Sequence, residues 1–147
     1  MNSTYSGFAA LICGLMLCSS SSADDKHTFT RDGHTTDSLA KVKKQLKDGK
    51  ATLLDVREQN EWDEGHLKAA RLLPLSVLRK GKLSDKQKKL LPKNAPVYCH
   101  CRSGGRVLAV AKILKAQGID IRPLKSGYAD LVRAGFEKSK DAPPPPE

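Results

Sequence analysis

The stretch from Ala95 to Gln117 limits the fold more than any other part of the chain. Ala95–Cys101 is a short apolar run of strand length. Ser103-Gly104-Gly105 follows as a turn. Val107–Gln117 then carries apolar residues at Val107, Leu108, Val110, Ala111 and Leu114, with Gly118 closing the segment. That spacing predicts a helix with a stop signal. A buried strand that passes through glycines straight into a helix is one unit of an alternating strand–helix fold.

The alternation continues on both sides. Ser38–Asp48 sets Leu39, Val42 and Leu46 on one helical face, and Gly49 follows. Thr52–Val56 reads as a strand. Glu58–Leu67 is polar with a Gly65-His66 turn, and Leu72–Leu75 predicts a second strand that ends at Pro74. Ser84 is placed to cap a helix ending near Leu91, before Pro92. Ile119–Leu124 predicts a further strand, and Tyr128–Ala134 a last helix ending at Gly135. The expected domain is α/β, a small and mostly parallel sheet flanked by helices on both faces, over residues 37–138. Sites in such sheets lie beyond the carboxyl ends of the strands, where Cys101–Arg106 falls.

The rest of the 147 residues reads as processing and connecting sequence. Phe8–Leu17 is a short apolar run, and Ser21 and Ala23 put small residues where a signal peptidase would cut before Asp24. Residues 1–23 are therefore expected to be a signal peptide, although the segment before the apolar run lacks Lys and Arg. Leu15-Met16-Leu17-Cys18 resembles a lipoprotein signal, with Leu17 a poor fit beside Cys18, so lipid anchoring through Cys18 is the alternative. Either way the expectation is export, periplasmic or extracellular, with no transmembrane span after processing. Residues 24–36 are polar and read as a linker. Residues 139–147 contain Pro143–Pro146 and predict an extended, disordered tail.

With 26 Lys+Arg against 16 Asp+Glu the formal charge is +10. This reads as a solvated surface that draws in anions. No aromatic residues interleave with the basic runs, so no nucleic-acid platform is expected. The chain is read as a monomer that needs no cofactor.

Loss of the leader removes Cys13 and Cys18 and leaves Cys99 and Cys101. One residue apart on a strand, they would make a strained bridge at best, so a chemical role is indicated instead. Cys101 opens the run Cys101-Arg102-Ser103-Gly104-Gly105-Arg106. Backbone N–H groups of such a turn converge on an anion, the helix start adds partial positive charge, and Arg102 and Arg106 add full charges. Gly104 and Gly105 permit backbone angles that a β-carbon would block. The expected site is an exposed Cys101 thiolate in an electropositive cup, attacking an anionic or electrophilic substrate through a covalent intermediate.

Other candidates read as support. Cys99 is expected to be a small buried hydrophobe. His100 points to the opposite face, so Cys99, His100 and Cys101 do not assemble a metal site. Asp55, Arg57 and Glu61 are read as a structural ion-pair network near the sheet's end. His66 is read as anchoring its turn, and Trp62 as core or partly buried cover.

Several stretches, in order, resemble a single rhodanese domain. They are Thr52-Leu53-Leu54-Asp55-Val56-Arg57-Glu58, Glu61-Trp62, Gly65-His66-Leu67-Lys68-Ala69-Ala70, Leu73-Pro74, Val97–Arg106 and Ser126-Gly127-Tyr128 through Gly135. Departures are Lys68-Ala69 where the family often has Pro-Gly, Ser126-Gly127 where two glycines are common, and Leu131 where a Trp is frequent.

The resemblance implies a sulfurtransferase in which Cys101 takes the outer sulfur of a small anionic donor such as thiosulfate and holds it as a persulfide. The sulfur then passes to cyanide or to a thiol, including one on a partner protein. It also implies that Arg102 attracts the donor's anionic group, and that Arg106 either does the same or anchors the loop to the helix, with anchoring the favoured of the two. Phosphatases of similar fold hold one residue more between cysteine and arginine than the four present here, so the smaller cup suits a sulfur atom over a tetrahedral oxyanion. The alternative reading is a module of the same fold that relays sulfur or senses oxidants for a partner, with little turnover.

Overall fold

The computed structural model describes residues 28–139. The predicted leader, the Cys18 motif and the proline-rich run lie outside them.

Four short strands pair side by side: Thr52–Asp55 (β1), Ala70–Leu72 (β2), Val97–His100 (β3) and Ile121–Pro123 (β4). Their order is β2-β1-β3-β4 and every pairing is parallel. β1 and β3 are central and covered on both faces, which is why each reads as a nearly unbroken apolar run.

Alternation along β1 and β3 sends neighbouring side chains into two core layers. Leu54, Val56, Val97, Cys99 and Cys101 pack with helices α3 (Leu75–Arg79) and α5 (Arg106–Lys115). Leu53 and Tyr98 pack on the other face with α1 (Leu39–Lys47) and α6 (Tyr128–Arg133). Leu53 and Leu54 are both fully buried, and each such leucine contributes about 1.5–3 kcal/mol. Helices on both faces of a parallel sheet are the architecture the sequence pattern predicts.

Two short helices depart from that pattern. The polar stretch before the Gly65-His66 turn, given no helix or strand from the sequence, forms α2 (Gln59–Asp63), too short to display helical periodicity. Its start is fixed locally, because the Glu61 side chain accepts from the Glu58 N–H. The strand expected over Leu72–Leu75 lies earlier in the chain: β2 runs from Ala70 to Leu72, and Pro74 is the N-cap of α3. Leu75 and Leu78 are buried one turn apart, and this helical spacing overrides the apparent strand. Ser84 caps a helix as expected, but that helix is a single turn, α4 (Asp85–Lys88).

Part of the expected linker is also tied down. Phe29 and Thr35 bridge antiparallel, and the Thr35 N–H donates to the Pro123 carbonyl at 2.8 Å. This small hairpin therefore docks at the end of β4, an edge strand that tolerates Pro123 because an edge position does not need every N–H.

From β1 the chain crosses to β2 on one side, then returns to β3 on the other. The switch in direction places the carboxyl ends of β1 and β3 at one crevice, where loops can hold a ligand.

Candidate active site

Cys101 directly follows β3, and Arg102–Gly105 lead into α5. The loop folds back over the thiol, so that the Gly104 N–H donates to Cys101 Sγ at 3.2 Å. Gly104 has φ +83°, and a Cβ there would lie 2.3 Å from the Lys125 carbonyl oxygen. Only glycine meets both conditions.

The turn before α6 grips the loop from the other side. A Cβ on Gly127 would lie 1.9 Å from the Arg102 carbonyl oxygen, and the Tyr128 N–H donates to the Cys101 carbonyl at 2.9 Å.

The expected exposed thiolate is corrected by this arrangement. Cys101 is 1% exposed. Its side chain points into the layer shared with Val107 and Cys99, beneath Gly104, and a sulfur bonded to the loop's N–H must sit under that loop. Arg102, Ser103 and Gly105 are exposed around it.

Asp55, Arg57 and Glu61 fall into two separate pairs. Arg106, the first residue of α5, is held bidentately by Glu61 at 2.5 and 2.7 Å. The guanidinium pulls the Glu61 carboxyl down to about 2 against the opposing effect of burial. This pair ties the start of α5 to α2.

Arg57 lies beside Asp55, with Nη2 2.7 Å from Oδ2 and 2.8 Å from the Gly65 carbonyl. Its guanidinium also covers the Tyr128 ring, 4.2 Å from the centroid. His66 contacts the Trp62 carbonyl at 3.2 Å and stacks on the half-buried Trp62 ring. It thus braces α2 and its turn.

Cys99 is fully buried, and that burial pushes its thiol well up, so it stays protonated. Both cysteines are free. His100 turns to the opposite face from them, 3.7 Å from Asp55 Oδ2, and burial lowers its pKa. Among the described residues no group of His, Cys, Asp and Glu is placed to hold a metal. No helix among them is long and apolar enough to cross a membrane.

Residues that sequence reasoning missed are His34, Lys125 and the backbone role of Gly127. Gly127 and Tyr128 stood in a noticed motif, but nothing in the motif says that the glycine packs on Arg102. His34 sits in an unpatterned polar stretch, and its Nε2 lies 2.9 Å from the Gly104 carbonyl oxygen.

A lone loop cysteine under a backbone N–H, at the carboxyl end of a central parallel strand, defines a class of α/β proteins built around a loop thiol. The chain belongs to the rhodanese-like domain family, a sulfurtransferase superfamily, with the family model matching residues 38–134. It is 39% identical over 80 residues to "Uncharacterized protein YqhL" of Bacillus subtilis, covering 54% of this chain and 59% of that one. Over 79 residues it is 34% identical to "Probable adenylyltransferase/sulfurtransferase MoeZ" of Mycobacterium tuberculosis, covering 53% of this chain and 19% of that one. The chain thus spans less than two thirds of either relative. A rhodanese-related protein from Thermoplasma volcanium has a similar structure, with TM-score 0.56 and 25% identity over 69% of this chain and 93% of that one.

Proposed function

We propose that the protein is a thiosulfate-type sulfurtransferase that carries sulfur as a persulfide on Cys101. The observation that carries this reading is the Gly104 N–H directed at Cys101 Sγ at 3.2 Å. A backbone donor aimed at the reacting sulfur stabilises anionic sulfur whether it is a thiolate or a persulfide. The exposed Arg102 beside it supplies attraction for an anionic donor.

The proposed reaction runs in two displacements. The Cys101 thiolate attacks the outer sulfur of thiosulfate. A new S–S bond forms, the donor's S–S bond breaks, and its electron pair leaves with sulfite. Cyanide or a thiolate then attacks the outer persulfide sulfur, and the Cys101 thiolate is returned. No proton or external electron is needed in either displacement.

Intact-protein mass spectrometry tests this. Reduced protein treated with thiosulfate is expected to gain the mass of one sulfur on Cys101 and to lose it to cyanide. A free, alkylatable Cys101 that takes up no sulfur would instead favour a relay or redox-sensing module that acts only with a protein partner. Gly104→Ala is expected to slow loading about 100-fold, the scale of losing one preorganised donor to an anion. A loading rate within a factor of two of the native chain would remove Gly104 from the proposed role.

A further inference from the structure

The Phe29–Thr35 hairpin precedes the stretch matched by the family model, yet it contacts the sulfur loop. His34 is 5% exposed. Its Nε2 lies 2.9 Å from the Gly104 carbonyl oxygen, and its Nδ1 lies 3.0 Å from Asp32 Oδ2. Both partners are acceptors, so the ring donates to both at once only with both nitrogens protonated. Asp32 receives the Thr30 hydroxyl, and that bond, followed by His34, keeps its carboxyl below the usual range.

The turn that carries His34 is closed by backbone bonds. Thr30 N–H donates to the His34 carbonyl at 2.7 Å, and Gly33 N–H donates to the Thr30 carbonyl at 2.9 Å. Thr35 fastens the hairpin to Pro123. His34 is therefore presented from a braced turn.

Gly104 is the residue whose N–H reaches the Cys101 sulfur. Lys125 limits its Cα from one side, and His34 holds its carbonyl. With Cα and carbonyl both restrained, the remaining rotation that would swing the N–H off the sulfur is restrained too.

We propose that His34, oriented by Asp32, is a positioning residue for the sulfur-binding loop, and that the hairpin is an added part of the active site. Its bond to the Gly104 carbonyl holds the Gly104 N–H on Cys101. The inference rests on the reading of Cys101 as the sulfur carrier.

The test compares the full chain with His34→Ala and His34→Gln. Thiolate absorbance at 240 nm is followed against pH, and sulfur loading from thiosulfate is followed by mass. In His34→Ala the thiolate is expected to form at higher pH. Loading is expected to be about tenfold slower, the scale of losing one hydrogen bond. His34→Gln keeps one neutral donor within reach of Gly104 and is expected to recover part of both effects.

A His34→Ala chain that titrates and loads like the native one overturns the proposal. So does a His34→Gln chain as impaired as His34→Ala. If His34→Ala does not fold, nitrogen NMR of the native chain decides, and an Nε2 without a proton overturns the proposal. Failure of the native chain to load sulfur overturns only the sulfur-carrier reading, because the absorbance titration reports the thiolate independently of transfer.

Discussion

Cys101→Ser is expected to abolish sulfur loading while leaving the fold intact. The substituted hydroxyl can still accept the Gly104 N–H that now reaches Sγ at 3.2 Å. The replacement is close in size, so the change in stability is expected to stay within about 1 kcal/mol. The chemistry does not survive, because a hydroxyl is a weak nucleophile that forms no persulfide. The loss is expected to exceed about 10⁴-fold, the scale of deleting a covalent nucleophile. Cys99→Ala supplies the contrast. Cys99 is fully buried in the layer packed against α5, and its thiol is held protonated there. That variant is expected to load sulfur at the native rate with a modest loss of stability. Mass spectrometry on both chains after thiosulfate decides the matter. Sulfur carried by the Cys101→Ser chain would sink the assignment of Cys101.

The parts legible in the sequence were those with a local signature. β1 and β3 announced themselves as apolar runs, and α5 as a spaced apolar face with Gly118 behind it. The loop from Cys101 to Arg106 could be placed because a strand precedes it and a helix follows. What stayed hidden depends on tertiary contact. α2 is one short polar helix, and α3 begins at a proline that also ends strands. The depth of Cys101 could not be read from its neighbours. Arginines and glycines nearby predict charge and freedom of backbone, while burial follows from how the loop turns back over the sulfur. The pairing of Arg106 with Glu61, 45 residues earlier, likewise has no local signature. The grip of Gly127 on Arg102 and the reach of His34 to Gly104 join segments far apart in the chain, so spacing carries no trace of them.

Asp55→Asn is expected to produce the largest loss of stability. Asp55 is fully buried and Arg57 is 5% exposed. The carboxylate accepts from Arg57 Nε and Nη2 and from the Arg57 backbone N–H. Asparagine preserves the shape and one acceptor, so no cavity opens. It removes the negative charge and leaves the buried guanidinium with the amide oxygen, the Gly65 carbonyl and the Tyr128 ring beside it. His100 gives no compensation, because burial disfavours its charged form and a second cation would add repulsion. Breaking a buried pair from one side costs about 3–5 kcal/mol, a large share of the roughly 5–15 kcal/mol that holds a domain folded. Urea unfolding of the variant measures this directly through its midpoint. A second variant separates charge from packing. Asp55→Leu combined with Arg57→Leu removes both charges, and it is expected to be more stable than Asp55→Asn alone, since apolar replacement of a buried pair is often neutral. A loss below about 1 kcal/mol in Asp55→Asn would mean that solvent reaches the pair and that it behaves as a surface bridge. In that case Arg57 would be free to move from the Tyr128 ring, and the turn that donates to the Cys101 carbonyl would lose one of its braces.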